Sequence, residues 1–262
     1  MVLTDEQLLA FRTDGFISIP GAFNAYEVAA INDRLPRLFA ERRVENFRER
    51  STDVVRTAMG LHLRDELFGR LVRDPRFVGP ARQILGDDHL YVQQVKVNAK
   101  EAFRGEQWQW HYDFATHHHE DGVPAPLAVN LHIFLDEVNE FNGPLVFIPG
   151  SQTSGPAPTS LDTVTTSYPL WTVPDDAVRA LVHKGGLVCP KGPPGTMLIF
   201  GDAVVHGSPN NMSPWDRRIF SLILNPCSNR QTTERRGDHQ HHRDYTPIEP
   251  LAGPFSAEFA GR

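Results

Sequence analysis

Two spacings of hydrophobic residues divide the chain. Up to about residue 88 the apolar positions recur at helical intervals, with one strand inserted. Thr4 followed by Gln7 has the form of a capping box, and Leu8 and Phe11 would bury one face of the helix it opens. Asp14-Gly15 should end that helix, and "FISIP" alternates as a strand does. "AYEVAAINDRLPRLFAERR" predicts a helix that Pro36 splits, and "DELFGRLVRDPRFVGPARQILG" predicts two short helices, the second opening near Pro80. From "LYVQQVKVNAK" onward the period becomes two. "LAVNLHIFLDEV", "GPLVFIPGS", "TMLIFGDAVVHGS" and "RRIFSLILNP" then follow as short β runs between turn signals. The Ser/Thr/Pro-rich "QTSGPAPTSLDTVTTSYP" predicts a long loop covering a barrel mouth. The pattern therefore predicts a mainly β protein, a jelly-roll core with helices on its outside. It reads as one domain over 1–262: a helical part at about 1–88, a core at about 89–226 and an extension at 227–262.

Composition narrows the function classes. A net charge of −6 with no Lys/Arg block speaks against nucleic-acid binding, and "ERRVENFRER" and "ERRGD" mix acids with bases as solvated faces do. No segment approaches the ~20 apolar residues needed to span a bilayer, and "MVLTDEQLLAFRTDGF" is not a secretory signal. Two cysteines, Cys189 and Cys227, lack zinc spacing and fit a reducing cytoplasm. A cytoplasmic protein with a small-molecule substrate is the expectation.

Chemistry concentrates in "WQWHYDFATHHHEDG", which holds four of the twelve histidines. If "QWHYDF" enters as a strand, His111 and Asp113 share one face, roughly 6–7 Å apart at Cα. His206, which closes a β run 95 residues later, is the best third ligand. Two histidines and a carboxylate leave three sites of an octahedron open, the arrangement of non-haem Fe(II) oxygenases. Arg217 lies 11 residues beyond His206, and a strand return of that length can bring its guanidinium beside the metal to pair with a dicarboxylate.

HxD, a distal His and an Arg at this spacing resemble the phytanoyl-CoA dioxygenase superfamily of Fe(II)/2-oxoglutarate oxygenases. The likeness is greatest to its bacterial branch of ectoine and free amino-acid hydroxylases. "VQQVKVNAKEAFRGEQWQWHYDF", "EDGVPAP", "FLDEVNEFNGPLVFIPGS", "GPPGTMLIF" and "VHGSPNNMSPWDRR" carry it across roughly 85–226. The resemblance implies a double-stranded β-helix, with His111, Asp113 and His206 as iron ligands. It implies Arg217, with Ser208 beside it, as the 2-oxoglutarate anchor, and Asn98 and Trp108 as further cosubstrate contacts. Gln94 matches a substrate-contacting residue. The implied reaction consumes O₂ and 2-oxoglutarate, releases succinate and CO₂, and hydroxylates an unactivated C–H bond. Related halogenases have Gly or Ala where Asp113 stands, so halogenation is disfavoured. Desaturation or ring formation on the same site is the alternative, and a jelly-roll zinc hydrolase or isomerase is the rival from another class.

The other polar residues divide. His117, His118 and His119 precede a turn signal, and at least two of them are expected in solvent. A zinc site built from "HHH" and "DHQHH" is disfavoured, because consecutive loop histidines rarely converge on one ion. Asp202 reads as a turn residue, Asp136 and Glu137 as strand-end caps, and Trp110 and Phe114 as facing away from the ligands. His117 stands where ectoine hydroxylases have a substrate-packing Trp, while Ile219 and Ser221 replace an Asn and a Phe of that subgroup. Fewer aromatic walls disfavour ectoine. A free amino acid or similar polar metabolite is expected instead, held by some of Arg56, His62, Gln94 and His117.

Overall fold

The computed structural model describes residues 1–167 and 169–258; Tyr168 of the Ser/Thr/Pro-rich stretch and the last four residues of the extension lie outside them. Thr4 and Gln7 close the capping box expected at the start of α1 (Asp5–Asp14), and Gly15 ends it in the left-handed conformation before β1 (Phe16–Ile19). Pro36 separates α2 (Ala25–Asn32) from α3 (Leu35–Ala40), as its ring requires. β2 (Asn46–Arg48) and β3 (Val55–Met59) form a hairpin, followed by α4 (Glu66–Leu71) and α5 (Pro75–Leu85). α5 opens at Pro75 rather than near Pro80. Asp74 caps it by accepting from the Arg76 N–H, and Pro75 fills a first-turn position whose N–H has no helical partner anyway.

The β regime begins with β4 (Leu90–Lys100), β5 (Trp108–His111) and, after α6 (Asp113–Asp121), β6 (Val129–Phe134) and β7 (Val146–Phe147). The Ser/Thr/Pro-rich stretch is not all loop. It contains a 3-10 turn at Ser151–Ser154 and β8 (Ser160–Asp162), which pairs with β9 (Leu170–Thr172) ahead of α7 (Asp175–Gly185). β10 (Met197–Gly201), β11 (His206–Ser208) and β12 (Arg217–Pro226) complete the chain's strands among the described residues.

The main antiparallel sheet has the order β1-β10-β6-β12-β4-β3-β2, and a short sheet β5-β11-β7 faces it. Phe147 of the short sheet meets Phe200 of the main one at 5.1 Å between ring centroids, closing a jelly roll. Period two decides what each central strand offers to each side. Val95 and Val97, Leu131 and Ile133, Met197 and Ile199, and Phe220 and Leu222 pack outward against α2 to α5 in the largest core. Their neighbours Gln94, Lys96, Asn98, Asn130, His132 and Ile219 face the barrel interior and line its cavity. Trp110 and Phe114 pack with Leu181 and Val182 of α7, away from the ligands as expected. The boundary near 88 does not separate helices from sheet, since β1, β2 and β3 all join the main sheet.

Candidate metal centre and active-site cavity

His111 and His206 are directly paired across β5 and β11, which sets their rings 4.3 Å apart between centroids. Asp113 reaches the same point by a route the strand reading missed. The strand stops at His111, Tyr112 is the extended cap residue, and Asp113 opens α6. Helix starts favour an acid in the first turn, and the turn is fixed by the Phe114 N–H donating to the Asp202 carbonyl at 2.9 Å. One ligand atom from each of His111, Asp113 and His206 lies within 4.8 Å of the others. No other cluster of this type occurs among the described residues.

The surroundings prepare these atoms for a cation. His111 Nδ1 donates to the Gln109 carbonyl at 2.6 Å and His206 Nδ1 to the Val204 carbonyl at 3.0 Å, leaving each Nε2 free as a ligand. Burial, with the neighbouring His206, holds His111 down to about 3, and burial also lowers His206, so both rings are neutral near pH 7. Burial alone would raise Asp113, but the cationic groups it faces, Lys96 among them, outweigh it and keep the group a carboxylate. Asn130 donates to its Oδ2 at 3.0 Å. Two neutral imidazoles and one oriented carboxylate fit a divalent transition metal.

Arg217 lines the same cavity, 2% exposed, with its Nε unpartnered and no carboxylate in ion-pair contact among the described residues. Burial lowers its pKa to about 10, so it stays charged. A buried, unpaired guanidinium is costly unless an anion completes it, and a dicarboxylate cosubstrate fits. Ser208 Oγ lies 3.5 Å from Arg217 Nη2 and itself donates to the Gly143 carbonyl. Asn98 and Trp108 line the cavity on this side. Lys100, which the sequence reading passed over, is buried nearby and donates to the Ser208 and Pro209 carbonyls, fixing that turn.

Among the four substrate-side candidates, Gln94 and His117 line the cavity and two others are elsewhere. Arg56 pairs with Glu49 at 2.8 Å and stacks on Trp108, 3.9 Å from its ring centre. His62 packs edge-on against His242 in a surface groove. α6 carries the histidines on two faces: His117 is buried, while His118 and His119 are exposed. Neither basic stretch is wholly solvated. Glu49 is buried with Arg56, and Arg236 of "ERRGD" enters the cavity, gripped through two nitrogens by buried Asp121. Arg236 escaped the sequence reading because its partner is 115 residues away. Lys96, Asn130 and His132 escaped it too, although their signal was present: polar residues at alternate positions of otherwise apolar strands. Asp202 is in a turn but 1% exposed. Asp136 goes beyond capping, since Arg218 donates to both its oxygens.

A jelly roll holding a two-histidine, one-carboxylate site beside a buried anion anchor defines the class of non-haem iron, 2-oxo-acid-dependent oxygenases. The chain belongs to the phytanoyl-CoA dioxygenase (PhyH) family, which matches residues 11–219. It is 37% identical to L-proline trans-4-hydroxylase of Streptomyces griseoviridis, over 92% of this chain and 93% of that protein. It is 34% identical to ectoine dioxygenase of Bordetella bronchiseptica, over 87% and 77%. The crystal structure of EctD from S. alaskensis with 2-oxoglutarate and 5-hydroxyectoine superposes with a TM-score of 0.82 at 31% identity, covering 97% of this chain and 89% of that one. The same protein with bound Fe gives 0.84.

Proposed function

We propose that this protein is an Fe(II)/2-oxoglutarate-dependent dioxygenase that hydroxylates a free amino acid or a closely related small polar metabolite. The observation that carries the reading is the placement, in one cavity, of the His111–Asp113–His206 triad and the unpaired, buried Arg217. A zinc hydrolase has no use for such an anion anchor. Iron bound by the triad, with 2-oxoglutarate and O₂, supplies the oxidising power to hydroxylate a C–H bond while succinate and CO₂ are released.

The chain's own residues do the rest. Arg217, with Ser208 and Asn98 near it, holds the cosubstrate by its distal carboxylate. Asn130 keeps the Asp113 carboxylate turned toward the two histidines. On the far side Arg236, immobilised by Asp121, offers the substrate a cation, and Gln94 is fixed there by Lys96 and by the Gln240 carbonyl. A cavity with this polar end and with His117 in its wall favours an amino acid over ectoine. The name of the S. griseoviridis relative makes L-proline the first compound to try.

The test is a panel of free amino acids and ectoine incubated with purified protein, Fe(II), ascorbate and 2-oxoglutarate. Expected is the gain of one oxygen on an amino acid with stoichiometric succinate. Efficient ectoine hydroxylation with no amino acid accepted would overturn the substrate class. Absence of succinate release with every compound would overturn the reading itself.

A further inference from the structure

Behind the cavity wall, Nδ1 of buried His117 has no hydrogen-bond partner, and the buried Asp202 carboxylate has none from any side chain, only the backbone N–H groups of Ala128 and of Asp202 itself bearing on it. The two side chains face each other, with Asp202 Oδ2 3.7 Å from His117 Nδ1. Asp202 sits in the turn after β10, pinned under the first turn of α6 by the Phe114 N–H and by its own N–H donating to the Ala128 carbonyl. It does not line the cavity, whereas His117, four residues along α6 from Asp113, does. The remaining charged or titratable groups around His117 are Asp113 and Asp121 of α6, and Arg236 and His241 of the C-terminal segment.

Neither group can stay unpaired cheaply in a site closed to water. A hydrogen bond between Oδ2 and Nδ1, about an ångström shorter than the present separation, would partner both atoms, and the pair would then share a proton. Burial and then the Asp113 charge push the Asp202 carboxyl well above its ordinary range, while burial holds His117 down to about 3. Whether that shared proton sits on oxygen or nitrogen, a net-neutral pair keeps the other proton on Nε2. Nδ1 is sealed toward Asp202, so Nε2 is the nitrogen a ligand can meet. Arg236 has the same design, a cavity-facing donor backed by a buried acid.

We propose that Asp202 is a positioning residue that holds His117 with Nε2–H aimed into the cavity, where His117 and Arg236 form a two-donor clamp for the carboxylate of an amino-acid substrate. The proposal rests on the amino-acid reading above and names the group by which that substrate is recognised. His117 touches the substrate; Asp202 acts only through it.

The probes are the free amino acid turned over fastest in the panel, L-proline first, and its primary amide. Asp202→Ala and His117→Gln should each raise the amino acid's KM by about tenfold or more, the value of one hydrogen bond to a charged group. The KM for 2-oxoglutarate should not move. Both variants should shrink the preference for acid over amide, and the double variant should be no worse than His117→Gln alone, as for residues acting as a unit. Asp202→Asn, which keeps a group able to bond Nδ1, should recover most of the affinity. An unchanged amino-acid KM in Asp202→Ala, or an equal rise for both cosubstrates, would make Asp202 merely structural and overturn the proposal. Independently of turnover, ¹⁵N NMR of the His117 ring should show the Nε2–H tautomer, lost or mixed in Asp202→Ala; an Nδ1–H ring in the unmodified protein overturns it. If no amino acid is turned over, the amino-acid reading fails, and the ring's tautomer still decides Asp202's role.

Discussion

Asp113 combines two constraints in one side chain: it starts α6 and it supplies the only carboxylate of the ligand cluster among the described residues. Asp113→Ala is expected to abolish succinate release and lower the iron bound per chain, since one anionic donor of three is gone. A variant that keeps a full complement of iron and near wild-type turnover would remove Asp113 from the ligand set. Arg217 differs because no carboxylate among the described residues pairs with it, and 2-oxoglutarate is its proposed partner. Losing one member of a buried charge pair costs about 3–5 kcal/mol, so Arg217→Ala should raise the 2-oxoglutarate requirement on the order of a hundredfold or more. The amino-acid KM measured at saturating 2-oxoglutarate should change little. An unaltered 2-oxoglutarate KM would place the anchor on another residue.

Among the elements, the turn before β10 shows how closely helices and sheet are fitted. Gly195 has φ +85°, and a Cβ there would lie 2.0 Å from the Phe23 carbonyl oxygen. That approach exists because the Phe23 N–H donates to the Gly195 carbonyl while the Gly195 N–H donates to that of Phe134, tying the loop before α2 to the sheet. Gly195→Ala combines a left-handed backbone with a steric overlap, for roughly 2–4 kcal/mol of destabilisation. At roughly 2–4 °C per kcal/mol for a chain of this size, Tm should fall by roughly 4–16 °C. A melting curve superimposing on the wild type would show that the loop can move aside. The Asp202 turn ties a second pair of elements in the same way, passing from β10 beneath α6, so the position of Asp113 depends on a strand end 89 residues later.

At the scale of the whole molecule, the C-terminal segment is bound to the first half of the chain by buried acids. Asp74 accepts from the Phe255 N–H, Glu27 from Ser256 Oγ and from Arg76, and Asp121 from Arg236 and His241. Burial alone would raise Glu27, but Arg76, the Asn24 N–H and Ser256 outweigh it and leave its pKa below the ordinary 4.5. Asp121 is lowered likewise, against its burial, by Arg236 and His241. A carboxylate whose folded pKa lies below its unfolded one contributes stability at pH values above the unfolded pKa. That contribution is lost as pH falls through the folded value. Tm should therefore fall as pH drops below about 6.5, because the unfolded chain takes up protons that buried His62, His117 and His242 refuse, and fall more steeply below about 4, where these carboxylates protonate. Replacing Glu27 by Gln should lower Tm at pH 7 and shallow the acid slope. An acid slope unchanged in that variant would assign it to other carboxylates.

Much of this was legible in the sequence because it depends on local spacing. The capping box at Thr4, the split at Pro36, and the strands at 90–100 and 217–226 all follow from residues within a few positions of one another. The HxD, distal His and Arg of the cavity were also legible, because ligand chemistry fixes residue types and the jelly roll fixes their spacing. What the sequence could not decide was which polar residues end up enclosed. Arg56 and His62 looked no different from Gln94 and His117, yet the first pair is used in packing and the second lines the cavity. Arg236 and Asp202 looked like solvated loop residues, and only closure of the C-terminal segment and of α6 over the barrel buries them. Burial is set by chain segments about a hundred residues apart, and it decides whether a charge is a surface group or a binding group. No local pattern encodes that, so the candidate metal ligands could be read from the sequence, while which polar residues share their cavity required the tertiary fold.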